Sequence, residues 1–248
     1  MSKKNEVAVV EEQAVVEEQA VVVSEFVAPD FAGDDLHIED ISFPKLICMQ
    51  PISEAVTDGK YSAGDIINST TGEKIGSPTE EVEIFPISTR KYYKVEKEVD
   101  GKNTWVRAEP INGPKDLEKE WTFEEDGEIL TRRPVMEVFL MIPKSSDLPF
   151  LWRIQGMSYK GIAKTFYTTA FALPATQKKA PFIRSILLRT EKEKNDKGTY
   201  FVFKFKLGKL TDAETYAACA QWYETTKTAK IEENTEVEPS EKQTEMGF

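Results

Sequence analysis

The chain is short of the residues on which most catalytic chemistry is built. Its 248 residues include one histidine, His37, and two cysteines, Cys48 and Cys219. A single imidazole excludes a His-rich metal centre and argues against a His-based nucleophilic triad. The cysteines lie far apart with no CxxC spacing, so neither a zinc site nor a disulfide scaffold is expected. Both read as small buried hydrophobes of a reducing compartment. There is no P-loop, no Gly-rich dinucleotide fingerprint and no HExxH. No apolar run approaches the length that spans a membrane. Glutamates interrupt the N-terminal apolar residues every few positions, so that segment does not read as a signal peptide. The expectation is a cytoplasmic protein that is not an enzyme and carries no cofactor or metal.

Charge is abundant but unevenly placed. The formal net charge is −11. Residues 1–40 carry −9 and residues 224–248 carry −4, which leaves the body at +2. Residues 8–22 repeat A-V-V-E-E-Q; a six-residue period keeps no single helical face apolar, so a solvated low-complexity extension is expected. The last residues, I-E-E-N-T-E-V-E-P-S-E-K-Q-T-E-M-G-F, are too polar and acidic to bury a core. The expected division is an acidic N-terminal tail over 1–40, a folded domain over 41–226 and an acidic C-terminal tail over 227–248.

Within the body, alternation marks the strands. Thr199 to Leu210 alternates strictly: Phe201, Phe203, Phe205 and Leu207 on one face, Tyr200, Val202, Lys204 and Lys206 on the other. Ile41 to Ile52 reads as an extended edge segment limited by Pro44 and Pro51. Asp65 to Ile75 reads as strand, turn, strand. Glu81 to Val99 is a long strand, D-G-K-N a hairpin turn, and Thr104 to Ala108 the returning strand, with Trp105 and Arg107 on one face. Residues 112–131 read as an irregular loop. Pro134 to Pro143 is a central strand, with Phe150 to Ile154 a short continuation. Its one acid, Glu137, is expected to pair with an arginine of a neighbouring strand, because an unpaired carboxylate there is costly.

Gly156 to Leu173 switches to helical spacing. Tyr159, Ile162, Ala163, Phe166 and Ala170 should face the core, and Lys160, Lys164, Tyr167 and Phe171 form a second stripe beside them. Pro174 is expected to end this helix. Phe182 to Thr190 is a further strand, and Thr211 to Thr226 a C-terminal helix with Thr211 and Glu214 as its capping box.

Two resemblances follow from these residues. The acidic tail ending on Phe248 resembles the tails of bacterial and phage single-stranded-DNA-binding proteins, with E-M-G-F where the bacterial tails end D-D-I-P-F. Between residues 81 and 208 the order strand, strand, strand, helix, strand, strand resembles the OB-fold, a five-stranded barrel that commonly binds oligonucleotides. The expected fold is therefore a β-rich α+β domain: an OB-like barrel with one intervening helix, extra N-terminal strands and a C-terminal helix. The resemblance implies a phage-type protein of DNA replication and recombination, in the host cytoplasm if phage-encoded.

Cations for phosphates and rings for bases would come from Lys91, Tyr92, Tyr93, Trp105, Arg107, Lys160, Lys164, Arg184, Tyr200, Lys204 and Lys206. The tail, through Glu238, Glu241, Glu245 and Phe248, would recruit a polymerase, helicase or primase. Two other readings stay open: a virion or assembly protein with flexible acidic termini, and a single-strand annealing protein that forms rings or filaments. Oligomeric state is open in all three.

Overall fold

The computed structural model describes residues 42–228, apart from Lys197. The tail residues Glu238, Glu241, Glu245 and Phe248, the A-V-V-E-E-Q repeat and His37 lie outside the described residues. What is described is β-rich, with two antiparallel sheets and few helices. The smaller sheet runs β1 (Leu46–Cys48), β2 (Ile66–Asn68) and β3 (Lys74–Gly76). It joins the larger sheet beside β8 (Phe150–Ile154), where Pro44 accepts a hydrogen bond from the Leu151 amide at 2.8 Å.

The larger sheet is organised by β4 (Val82–Val99), an 18-residue strand dense in β-branched and aromatic side chains. Its first residues, Val82 to Ile84, pair with β9 (Arg184–Asn195); Phe85 to Lys97 pair with β7 (Glu128–Met141); Tyr92 to Val99 pair with β5 (Lys102–Pro110). The register with β7 shifts between Pro86 and Ser88. Proline has no N–H to donate, and a bulge is where a strand interior tolerates it. Among the described residues β10 (Gly198–Leu210) pairs only with β9, and β6 (Thr122–Glu125) only with β7, giving the order β10-β9-β4-β7-β6 with β5 on β4 and β8 on β7. Among the described residues no pairing closes this path into a barrel. The space between β8 and β10 is filled by rings instead: Trp152 meets Phe203 edge-on at 4.9 Å, and Phe166 meets Phe205 at 5.2 Å.

Helices cover both faces of the β4–β7 sheet. On one lies a continuous helical run: α2 (Gly156–Ser158), a π turn (Tyr159–Ala163), α3 (Lys164–Tyr167), a second π turn (Thr168–Ala172) and α4 (Leu173–Thr176). As its spacing predicts, Ile162, Ala163, Phe166 and Ala170 are buried, packed with Met136, Val138, Trp152 and Phe203. Pro174 does not stop the run at once; it lies inside it, and the run ends two residues later at Thr176. On the other face, α5 (Ala213–Thr228) packs Cys219, Trp222 and Tyr223 against Phe85, Ile87, Phe139 and Phe182. A buried hydrogen bond from Ser88 to Thr226, 2.7 Å, ties its end to β4. A four-residue turn, α1 (Glu54–Thr57), links β1 to β2.

Three local expectations need correction. Residues 112–131 are not an irregular loop: they hold a 3-10 turn (Pro114–Glu118), then β6 and the start of β7 joined through Asp126 and Gly127, both at positive φ, 53° and 80°. Asp-Gly suits that two-residue hairpin turn. The α5 cap is Asp212, whose carboxylate accepts from the Thr215 amide at 2.8 Å, while Thr211 donates its hydroxyl to the Phe182 carbonyl at 2.6 Å. Trp105 and Arg107 do not share a face. A bulge between Val95 and Glu96 sets Trp105 opposite Glu96 and Arg107 opposite Val95, and that register slip sends the two side chains to opposite sides.

Candidate nucleic-acid interface

The predicted contact residues separate into four environments. Tyr92 and Tyr93 are core residues, 0% and 2% exposed, because β4 is covered on both faces where they sit. Tyr92 donates its hydroxyl to Glu137 at 2.8 Å, and burial with the nearby carboxylate pushes its phenol well above the ordinary value. Neither ring is placed to stack on a base.

Glu137, fully buried, lies in one cross-strand row with Arg90 of β4 and Arg153 of β8. Arg90 Nε reaches it at 2.6 Å and an Arg153 guanidinium nitrogen at 2.6 Å, so the expected arginine pairing is present from both sides. Burial alone would raise the carboxyl; the two guanidiniums and their hydrogen bonds hold it below its ordinary range. This row is architectural.

A second group of cations is already neutralised. On the solvent face of β10, Lys204 bonds Glu193 at 2.6 Å and Tyr200 donates to the same carboxylate at 3.2 Å. Those bonds hold the Lys204 ammonium above, and the Glu193 carboxyl below, their usual values. Lys206 bonds Glu81 at 2.7 Å. Arg107 is shared by Glu125 and Glu109, at 2.5 and 2.7 Å, and stands near the Phe123 ring. Trp105, on the far side of the β5 bulge, packs edge-on to Tyr92 at 6.3 Å, with Lys94 5.9 Å from its ring. Tyr200, Lys204, Lys206, Tyr93 and Arg107 therefore do not converge in one groove. Tyr200, Lys204 and Lys206 share the solvent face of β10, Arg107 lies on β5 and Tyr93 in the core of β4, and each of the three cations is held by an acid of the fold.

The third environment is different. On the outer side of the helical run, Lys160 and Lys164 are exposed, four residues apart. Lys160 stands 5.5 Å from the ring of Trp121, which is 52% exposed. Tyr167 stacks with Phe171 at 5.9 Å and 25°, and Lys91 reaches across from β4 to lie 3.5 Å over the Tyr167 ring. Among the described residues Lys91, Lys160 and Lys164 have no carboxylate partner. Partial burial lowers the Lys91 pKa below its ordinary 10.5, as expected of an ammonium that has lost water and gained only a ring. The result is three unneutralised cations on or against the helical run, with the exposed Trp121 beside Lys160 and the half-buried Tyr167 and Phe171 beside Lys91. Trp121 was not singled out from the sequence, since it falls in the stretch read as a loop.

Arg184 stands apart, in the fourth environment, at the start of β9. It lines a groove with Lys179, Leu173, Leu207 and Leu210.

Residues 141–232, from the end of β7 through the helical run, β9, β10 and α5, match the model of a family described as Pam3 phage gp34-like protein. No curated protein and no solved structure matches the chain. Among the described residues no helix is long and apolar enough to cross a membrane.

Proposed function

We propose that the chain is a phage single-stranded-nucleic-acid-binding protein, and that its binding face is the strip Trp121–Lys160–Lys164–Tyr167–Lys91–Phe171. The observation that carries this is the state of the cations. Where lysine and arginine serve the fold, as at Glu193, Glu81, Glu109 and Glu125, each has its own acid. On the strip three do not, and aromatic rings lie beside two of them, Lys91 and Lys160. Lysine to phosphate and ring to base is the pairing that single-strand binders use, and it is tolerant of sequence because every base has a face to stack.

The similarity of residues 141–232 to a phage family supports the phage setting and takes in most of the strip. The order of strands around the helical run keeps an OB-like reading of the domain in play. In this account the acidic C-terminal segment recruits replication proteins, and it competes with nucleic acid for the strip. The test is binding of labelled oligo-dT to the full chain and to the triple variant Lys91→Gln/Lys160→Gln/Lys164→Gln. Binding lost in the triple variant supports the strip. Binding unchanged in it refutes the strip, and no binding by either protein favours an assembly role instead.

A further inference from the structure

The helical run opens at Gly156, which stands at φ +58°, and holds one further glycine, Gly161, inside its first π turn. Gly161 has a negative φ, where a side chain brings no strain. A Cβ built on it meets nothing within 4 Å beyond its own turn, so no close approach of another element excludes a side chain. The π geometry does not require glycine either, since the second π turn, Thr168 to Ala172, forms from T-T-A-F-A. Glycine in a helix interior is nonetheless destabilising relative to alanine, through the backbone freedom it loses on folding. Such a cost, with no gain for the fold, is kept at functional sites.

Gly161 is exposed. It follows Lys160, and Lys164 lies three residues on, about one turn along the same surface. Both lysines are exposed and, among the described residues, have no carboxylate partner. Lys160 also stands 5.5 Å from the exposed Trp121 ring. The bare main chain of Gly161 is therefore an open notch beside two unneutralised ammonium groups, one of which has an indole at its side.

We propose that Gly161 is a binding residue of the strip, and that its missing side chain lets the sugar–phosphate backbone of a single strand lie against the helix. There Lys160 and Lys164 both reach the phosphates, and a base turns to Trp121. The inference rests on the nucleic-acid reading and adds to it the place on the run where backbone, not base, is held. A side chain at 161 would hold the strand away from both ammonium groups, and the attraction between charges falls with their separation. A seat for the backbone is blind to sequence, since every nucleotide carries the same sugar and phosphate.

The test compares Gly161→Ala and Gly161→Leu with the parent, in the full chain, by fluorescence anisotropy of labelled oligo-dT and oligo-dA at low salt and by urea unfolding. Ala175→Leu places a leucine at an exposed position of α4, toward the far end of the run, as the control. Gly161→Ala is expected to raise the urea midpoint and yet weaken binding, and Gly161→Leu to weaken it about tenfold or more. Both oligonucleotides are expected to lose affinity by the same factor, and Ala175→Leu to bind as the parent does. The proposal is overturned if Gly161→Ala lowers the urea midpoint, because the glycine then serves the fold. It is overturned, with the nucleic-acid reading intact, if the parent binds and Gly161→Leu binds as tightly. The same holds if Ala175→Leu weakens binding as much, or if only one of the two oligonucleotides loses affinity. No binding by the parent or by any variant overturns this proposal and the nucleic-acid reading together.

Discussion

Replacing Glu137 with leucine should be among the most damaging single changes in the protein. The carboxylate is fully buried and accepts from Arg90, Arg153 and Tyr92, all at 2.6–2.9 Å. Without it two guanidiniums face each other across one strand and both lose the carboxylate that joins them. Breaking a buried ion pair from one side costs about 3–5 kcal/mol. The arginine side chains are 19% and 16% exposed, so water reaches them in part and the lower end is the better expectation. For a chain of this size, about 3 kcal/mol corresponds to a fall of roughly 6–12 °C in Tm.

Removing all three charges together, Arg90→Met/Glu137→Leu/Arg153→Met, should recover much of that loss, because the desolvation cost of the cluster disappears with it. Urea unfolding followed by tryptophan fluorescence reads both variants. The reasoning is refuted if Glu137→Leu costs less than about 1 kcal/mol, the level expected of an exposed pair such as Lys97 with Glu128. It is equally refuted if the triple variant is no more stable than the single one.

Other expectations follow from the same geometry. Glu137 has a folded-state pKa below its ordinary value, so its contribution to stability is complete above the ordinary carboxylate range. That contribution is lost as pH falls through the depressed pKa, and Glu137→Gln should flatten the acid limb of a stability–pH curve. Gly64 has φ +90°, and an added Cβ would lie 2.5 Å from the Phe201 ring and 2.6 Å from Pro78. Gly64→Ala should therefore cost about 1–3 kcal/mol in the same urea assay. Burial pushes the thiols of Cys48 and Cys219 up to about 12, so neither should react with a thiol reagent at pH 8 until the protein is unfolded. Lys91 titrates below 10.5, and a phosphate beside it would favour its charged form. Oligo-dT affinity should then fall as pH rises through the alkaline range, and Lys91→Gln should make that fall smaller.

How far the fold could be read from the sequence depended on whether a signal was local. The two-residue period of Thr199 to Leu210 placed Phe203 in the core and the half-buried Phe205 against it, and the 3.6-residue period of 156–173 placed Ile162 and Phe166 in the core. The pairing of Glu137 with arginine followed from the cost of an acid in an apolar strand. The β6–β7 hairpin carried its own Asp-Gly turn signal, but the charged, glycine-containing stretch around it read as loop. Register was not local, and the site turned on register. Glu193 neutralises Lys204 only because β9 folds back to set it opposite Tyr200, and one bulged residue separates Trp105 from Arg107. Tyr92 and Tyr93 look like surface rings among lysines until β4 is covered on both faces. Lys91 finds Tyr167 only through the packing of the helical run on the sheet.

The central claim is that phosphates are met by Lys91, Lys160 and Lys164, and the salt dependence of binding tests it most directly. Fluorescence anisotropy of labelled oligo-dT, measured over a range of salt with the full chain, gives the slope of log Kd against log salt. Each phosphate contact on a single strand adds about 0.7 to that slope. The triple variant Lys91→Gln/Lys160→Gln/Lys164→Gln should lose about 2 from it, while Lys204→Gln/Lys206→Gln leaves it unchanged. A slope that survives the triple substitution, or that falls instead with Lys204 and Lys206, would contradict the account.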